Sequence, residues 1–357
     1  MNVTLIGSMP QKDAEVALKK IIENIKIPCW PQLPKRSFKE HMCTQYSENF
    51  PGIKIDDNRV IFSEESFYQE IENFFKNYED KNYDYFKISK DFAEGFYKFL
   101  EFLPAIENKD FLSLKLQTTG VVTFALSIKD SYGKPIFYDL QLREVVVKHL
   151  VMKSIWQLKE IINNIDSKDN KKVELILFYD EPYLSAYGSA FTSVSREEII
   201  SSIVTILKET KELFLKIVNS YNVVNNLDLK IGIHCCGNTD WSILTEIEYL
   251  DIISFDAYDF FENFVLYAKD IKSFLENKGI IAWGIIPNNE KIFSVSSKSL
   301  IDKLERYIYE LTLKGVKKEL LYKNLILTPQ CGLGNVKENI VVDKVLEICK
   351  EISLKEI

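Results

Sequence analysis

Short β-branched or apolar runs alternate with stretches of helical spacing along the whole chain. VTLIGS (3–8) precedes a helical stretch over about 11–25, and PCWPQL (28–33) is a weaker second run. FLSLKLQ (111–117) leads into helical stretches over 120–128 and 136–165. VELILFYDEP (173–182), LKIGIHC (229–235) and DIISFDA (251–257) lead into helices over 195–219, 240–248 and 260–277. GIIAWGII (279–286) and NLILTPQCG (324–332) lead into helices over 297–314 and 338–350. Eight such units in 357 residues predict an α/β fold with a mostly parallel sheet, best met by a (β/α)₈ TIM barrel. No composition break marks a domain boundary, so residues 1–357 read as a single barrel domain. Its one irregularity is an insertion after strand two, about 35–110, predicted to lie over or beside the barrel mouth.

In such a barrel the loops after the strand C-termini carry the chemistry. The chemically unusual residues fall at those ends: Ser8, Gln32, Gln117, Asp180, Glu181, His234 to Cys236, Asp256 and Cys331. Asp180 and Glu181 are adjacent and cannot face the same way, so one enters the mouth and the other supports structure. Asp256 either serves the site or caps the following helix.

Composition removes several classes of function. The formal net charge is -7 and no long Lys/Arg cluster is present, so there is no electrostatic footprint for nucleic acid. No apolar run approaches ~18 residues, so no membrane span is expected. The start lacks the positive and apolar regions of an export signal, which predicts a cytoplasmic protein. Six cysteines scattered over the chain then read as reduced thiols or metal ligands.

KIGIHCCGNTDW (230–241) holds one of three histidines and two of six cysteines. In extended backbone His234 and Cys236 share a face while Cys235 points away. Cys331 ends the last strand and, in a closed barrel, approaches from across the mouth. Three N/S ligands with a fourth place open or filled by carboxylate match catalytic zinc, and thiolate with imidazole selects zinc over magnesium or calcium. The competing reading is of ordinary buried cysteines and a satisfied core histidine. His41 and Cys43 also lie two apart, but in a loop or helix start, where such spacing does not make a shared face. His149 sits in a long amphipathic helix and reads as packing or surface.

IGSMP, YDEP, HCCGNTDW and TPQCGLG, in that order along the chain, resemble the superfamily of cobalamin-independent methionine synthases, methylcobamide:thiol methyltransferases and uroporphyrinogen decarboxylases. The resemblance is closest to the catalytic barrel of the methionine synthases. It implies a zinc that activates a thiol for methyl transfer, held by His234, Cys236 and Cys331. The methionine synthases take a fourth ligand, a Glu, from the next strand end; that position falls here on Asp256. Asp180 would hold the amino group of an amino-acid thiol, and Ile6, Gly7 and Ser8 its carboxylate.

Two departures from that pattern shape the expectation. The chain has room for one barrel only. The segment after strand seven reads GIIPNNEK, with Pro287, Asn288 and Asn289 where the methionine synthases carry a His that helps protonate the leaving folate nitrogen. An amine leaving group needs such a proton, with general-acid help worth ~10²–10⁴-fold. A cobalt(I) corrinoid needs none. The expected donor is therefore a methylcobamide, presented by a corrinoid protein, with methyltetrahydrofolate as the alternative. The acceptor is a small thiol such as homocysteine or coenzyme M. A porphyrinogen decarboxylase would need a basic pocket and no metal. An accessory protein that binds metal or corrinoid without turnover is the reading from a different class, although no D-x-H-x-x-G corrinoid pattern is present.

Overall fold

The computed structural model describes residues 1–56, 58–106, 111–165, 172–189, 193–220 and 227–355. A small antiparallel hairpin, β1 (Ile53–Asp56) and β2 (Arg59–Phe62), belongs to the insertion. The main sheet is parallel and runs β3 (Phe111–Thr119), β4 (Lys172–Asp180), β5 (Leu227–Cys235), β6 (Ile252–Phe255), β7 (Ile280–Ile286), β8 (Leu325–Pro329), each strand beside the next in sequence. Helices such as Leu140–Asn164, Arg196–Ser220 and Ser297–Leu313 connect them.

The sheet thus has six strands where the sequence predicts eight. The first two expected strands are present as extended segments joined by isolated parallel bridges. Val3 pairs with Leu327 of β8, Ser8 with Gln32, and Cys29 with Lys115 of β3. Backbone bonds follow the same path: Thr4 N to the Leu327 carbonyl, Ile27 N to Val3, Gln32 N to Gly7, and Lys115 N to Pro28, all at 2.9–3.1 Å. The reason no regular ladder forms lies in the residues. Pro28 and Pro31 have no N–H to donate. Gly7 takes φ +140°, outside the range of a strand of L-residues. The expected helix over 260–277 is also broken, into Ala257–Phe264 and Ala268–Glu276 around a 3₁₀ turn.

Alternation along the strands separates two apolar layers. Ile176, Phe178, Ile252, Ala282 and Ile326 form a small cluster with Ile27. Leu175, Leu177, Tyr179, Ile231, Ile233, Cys235, Phe255, Trp283 and Leu327 belong to the larger core shared with the helices. Because Asp180, His234 and Ser254 lie at even steps from the first set or its register partners, they continue the inner face upward to the strand C-termini.

The insertion docks on that end. Thr119 Oγ1 donates to the Met42 carbonyl (2.6 Å) and Tyr46 Oη to the Gln117 carbonyl (2.6 Å). His149, fully buried, holds the Tyr46 carbonyl through Nε2 at 2.7 Å and packs among Phe50, Phe74, Phe86 and Phe124. It is a packing residue, so of the two settings expected for it, packing and surface, the structure shows the first. Residues 57 and 107–110 of the insertion lie outside the described residues. Among the described residues, no helix is long and apolar enough to cross a membrane.

Candidate metal centre

β5 delivers His234 inward because its apolar run alternates with period two. The same alternation turns Cys235 outward into the helix-covered core, fully buried, where its Sγ lies 3.5 Å from the Gly237 carbonyl oxygen. Cys236 follows on the His234 side, and Cys331 follows β8. The ring nitrogen of His234 and the sulfurs of Cys236 and Cys331 all lie within 4.8 Å of one another. Ser254, the next strand's partner of His234 in register, holds Nδ1 of the ring at 3.0 Å. Nε2 is buried without a hydrogen-bond partner.

Hydrogen bonding to the Cys331 thiol holds the Cys236 thiol below its usual range, against the cost of burial and with help from His234. The same contact, with burial, pushes Cys331 up. Cys235, away from the cluster, is pushed up to about 12 by burial alone in the main. The donor set is one imidazole and two sulfurs, with a buried orphan nitrogen turned by Ser254. A zinc ion bonded at roughly 2.3 Å to sulfur and 2.1 Å to nitrogen fits this set and spacing.

Asp180 pairs in register with His234 and is 8% exposed, with Oδ1 lacking any hydrogen-bond partner. Burial pushes it up to about 6, opposed by the fields of Lys115 and His234. Glu181 turns the other way. Its two oxygens accept from Val122 N (2.9 Å) and Thr123 N (2.7 Å), capping the helix Val121–Ser127. It is pushed up to about 7 by burial and supports the fold rather than facing the cluster. Asp256 is likewise turned to a helix: it caps Ala257–Phe264 and is bonded by the Gln330 amide, and it is not among the three gathered ligands.

The remaining expected residues form the surrounding wall. Ser8 Oγ accepts from Gly334 N (3.1 Å), and a Cβ at Gly332 would meet that oxygen at 2.1 Å, so the loop after Cys331 closes tightly on residue 8. Gly7 lies against the Gln117 amide, which a Cβ would strike at 2.6 Å. Gln117 Nε2 bonds the Trp30 carbonyl, and Gln32 Nε2 bonds Gln45 Oε1. Both amides are therefore used within the chain. The Ile6 carbonyl accepts from Lys115 Nζ, a fully buried ammonium that also reaches Gln117 Oε1 at 3.2 Å. His41 and Cys43 do not join the cluster.

Sequence reasoning missed Lys115, Ser254 and Gln330. Lys115 and Gln117 stand two apart in SLKLQ, a polar pair on one face of an apolar strand, which was a legible sign of an inward polar layer. Ser254 inside IISF gave a weaker sign of the same kind.

No family model matches the chain, and no curated protein matches it. Solved structures do. One is a B12-independent methionine synthase from Shewanella sp. W3-18-1 in complex with selenomethionine, 12% identical, covering 98% of this chain and 97% of that one, TM-score 0.55. Another, from Listeria monocytogenes, is proposed to be a vitamin-B12 independent methionine synthase; it is 11% identical over 100% of both chains, TM-score 0.54. At this identity the likeness establishes the fold.

Proposed function

We propose that the chain is a zinc-dependent S-methyltransferase acting on a small thiol. The observation that carries this reading is the meeting of His234, Cys236 and Cys331 within 4.8 Å at one end of the sheet. Two sulfurs would donate charge to a zinc ion held there and so keep a bound substrate sulfur nucleophilic, which suits thiol activation. A zinc ion held there would keep a substrate thiol, ordinarily near pKa 8.5, in its reactive anionic form at neutral pH. The chain's own residues orient the rest. Ser254 fixes the His234 ring. Asp180, with a free buried oxygen beside His234, supplies an acceptor for a donor group on the substrate. In the transfer, the substrate sulfur's lone pair forms the bond to the methyl carbon, and the pair of the broken bond leaves with the donor.

The donor is argued separately. After β7 stand Pro287, Asn288 and Asn289, of which Asn288 is tied to the loop after β8: its N approaches Gln330 Oε1 (3.4 Å) and its Nδ2 bonds the Gly332 carbonyl (3.2 Å). A cleft of about 460 Å³ opens there, lined by Asn288, Asn289, Lys291, Gly332 and Lys337, next to Cys331. The lack of an imidazole at this place favours a leaving group that needs no proton, hence a methylated corrinoid on a partner protein. The folate reading has its own support, since both structural neighbours carry "B12-independent" in their descriptions, and they lend the corrinoid none.

The test combines metal content with transfer. Purified protein is expected to hold about one zinc per chain, lost in His234→Ala and Cys331→Ser with the fold retained, and kept in Cys235→Ser. Methyl transfer to homocysteine and to 2-mercaptoethanesulfonate is then measured from methylcobalamin and from methyltetrahydrofolate. Zinc-free wild-type protein that transfers no methyl group from either donor would defeat the reading.

A further inference from the structure

The place left for substrate on the ion depends on what becomes of Asp256, the residue that stands where a fourth protein ligand would be expected. Resting on the zinc reading above, we propose that Gln330 is a positioning residue that ties Asp256 away from the ion, so that His234, Cys236 and Cys331 are its only protein ligands and the fourth place belongs to the substrate sulfur.

Gln330 precedes Cys331 directly and is 3% exposed. Its Nε2 lies 3.1 and 3.0 Å from the two oxygens of Asp256 and 2.8 Å from Asp259 Oδ2. Its backbone N–H donates to the Ile286 carbonyl at 2.9 Å, which anchors its backbone to β7, and its Oε1 accepts from Asn288 N at 3.4 Å. Asp256 Oδ1 also accepts from Asp259 N (3.0 Å) as the cap of its helix. Asp259 is in turn bonded by Lys291 Nζ at 2.9 Å. Both oxygens of Asp256 are thus in use. Swinging to the cluster would forfeit the cap and leave a buried amide short of partners, each a loss the fold resists.

Charge argues the same way. Two cysteine thiolates already neutralise a divalent ion. A protein carboxylate added to them would compete with an incoming thiolate, whereas a neutral amide holding that carboxylate aside removes the competitor. Asp is also one methylene shorter than the Glu that the resemblance expects at this position, so its reach is smaller.

Cobalt(II) in place of zinc reports the ligand set by its spectrum. Wild type, Asp256→Asn, Gln330→Ala and Gln330→Met are loaded with cobalt, and bands are recorded with and without 2-mercaptoethanesulfonate. Asparagine keeps the helix cap, so Asp256→Asn is expected to keep the wild-type spectrum and cobalt affinity. Both Gln330 variants, with Asp256 released, are expected to need ~10-fold more thiol to reach the thiol-dependent increase of the sulfur-to-cobalt band above that of the two cysteines; Met matches the length of Gln and guards against a folding failure of the Ala variant. An altered spectrum or a ~10–100-fold loss of cobalt affinity in Asp256→Asn makes Asp256 a ligand and overturns the proposal while the metal reading stands. Thiol titrations of both Gln330 variants matching wild type overturn the role of Gln330. Wild type that takes up no cobalt overturns the proposal and the zinc reading together.

Discussion

His234 offers two ring nitrogens, and the structure uses them differently: Nδ1 meets Ser254 Oγ at 3.0 Å, while Nε2 is buried and free. A ring held by one nitrogen presents the other as the ligand in a fixed direction, which is how partners behind a metal ligand raise affinity. Ser254→Ala is therefore expected to lower zinc affinity about 10- to 100-fold without unfolding the protein, with Ser254→Thr recovering part of the loss; zinc competition titration against a chromophoric chelator measures it. Equal affinity for Ser254→Ala and wild type would show that packing alone orients the ring. Ser254 could be placed on the inner face from the alternation of IISF, but its bond to a residue 20 positions away could not. Asp256 shows the same limit from the other side. Its position at a strand end was legible, but its occupation by Gln330, 74 residues on, is a side-chain contact set by how β6 and β8 face each other.

At the scale of elements, the insertion is fastened to the sheet by Thr119 with Met42 and Tyr46 with Gln117, and its helix Glu94–Ile106 lies on the extended segment carrying Pro31. Gly95 makes the last of these possible, since a Cβ there would lie 1.9 Å from the Pro31 carbonyl oxygen. In an exposed helix Gly→Ala gains about 1 kcal/mol. Here the clash is with backbone, so Gly95→Ala is expected to destabilise by about 1–3 kcal/mol, read from urea unfolding midpoints. A stabilised variant would mean that the insertion can lift from the sheet at little cost. The long helices were legible from periodicity. The two bridged segments were overread as strands because β-branched and apolar residues signal extension, whereas ladder formation also needs N–H groups that Pro28 and Pro31 lack.

For the molecule as a whole, the cluster sits at the ends of strands packed between an inner apolar layer and the helix-covered core, so the cradle is expected to form without a metal. Removing zinc with a chelator is expected to leave the far-UV circular dichroism unchanged and to lower Tm by a few degrees, because an ion bound only by the folded state stabilises it by mass action. Loss of helical signal on chelation would show instead that metal and fold are coupled, as in small zinc domains. What the sequence alone determined is periodic and local: the α/β class, the order of most elements, the inward turn of His234 with Cys236 and the outward turn of Cys235. These follow from alternation along a single strand, which is fixed by backbone geometry. What only the tertiary structure decided is every relation between distant strands: how the first two segments bridge β8 to β3, that Cys331 meets β5, that Ser254 holds the ring and that Gln330 takes Asp256. Such contacts depend on the curl and register of the sheet, which no stretch of residues encodes by itself.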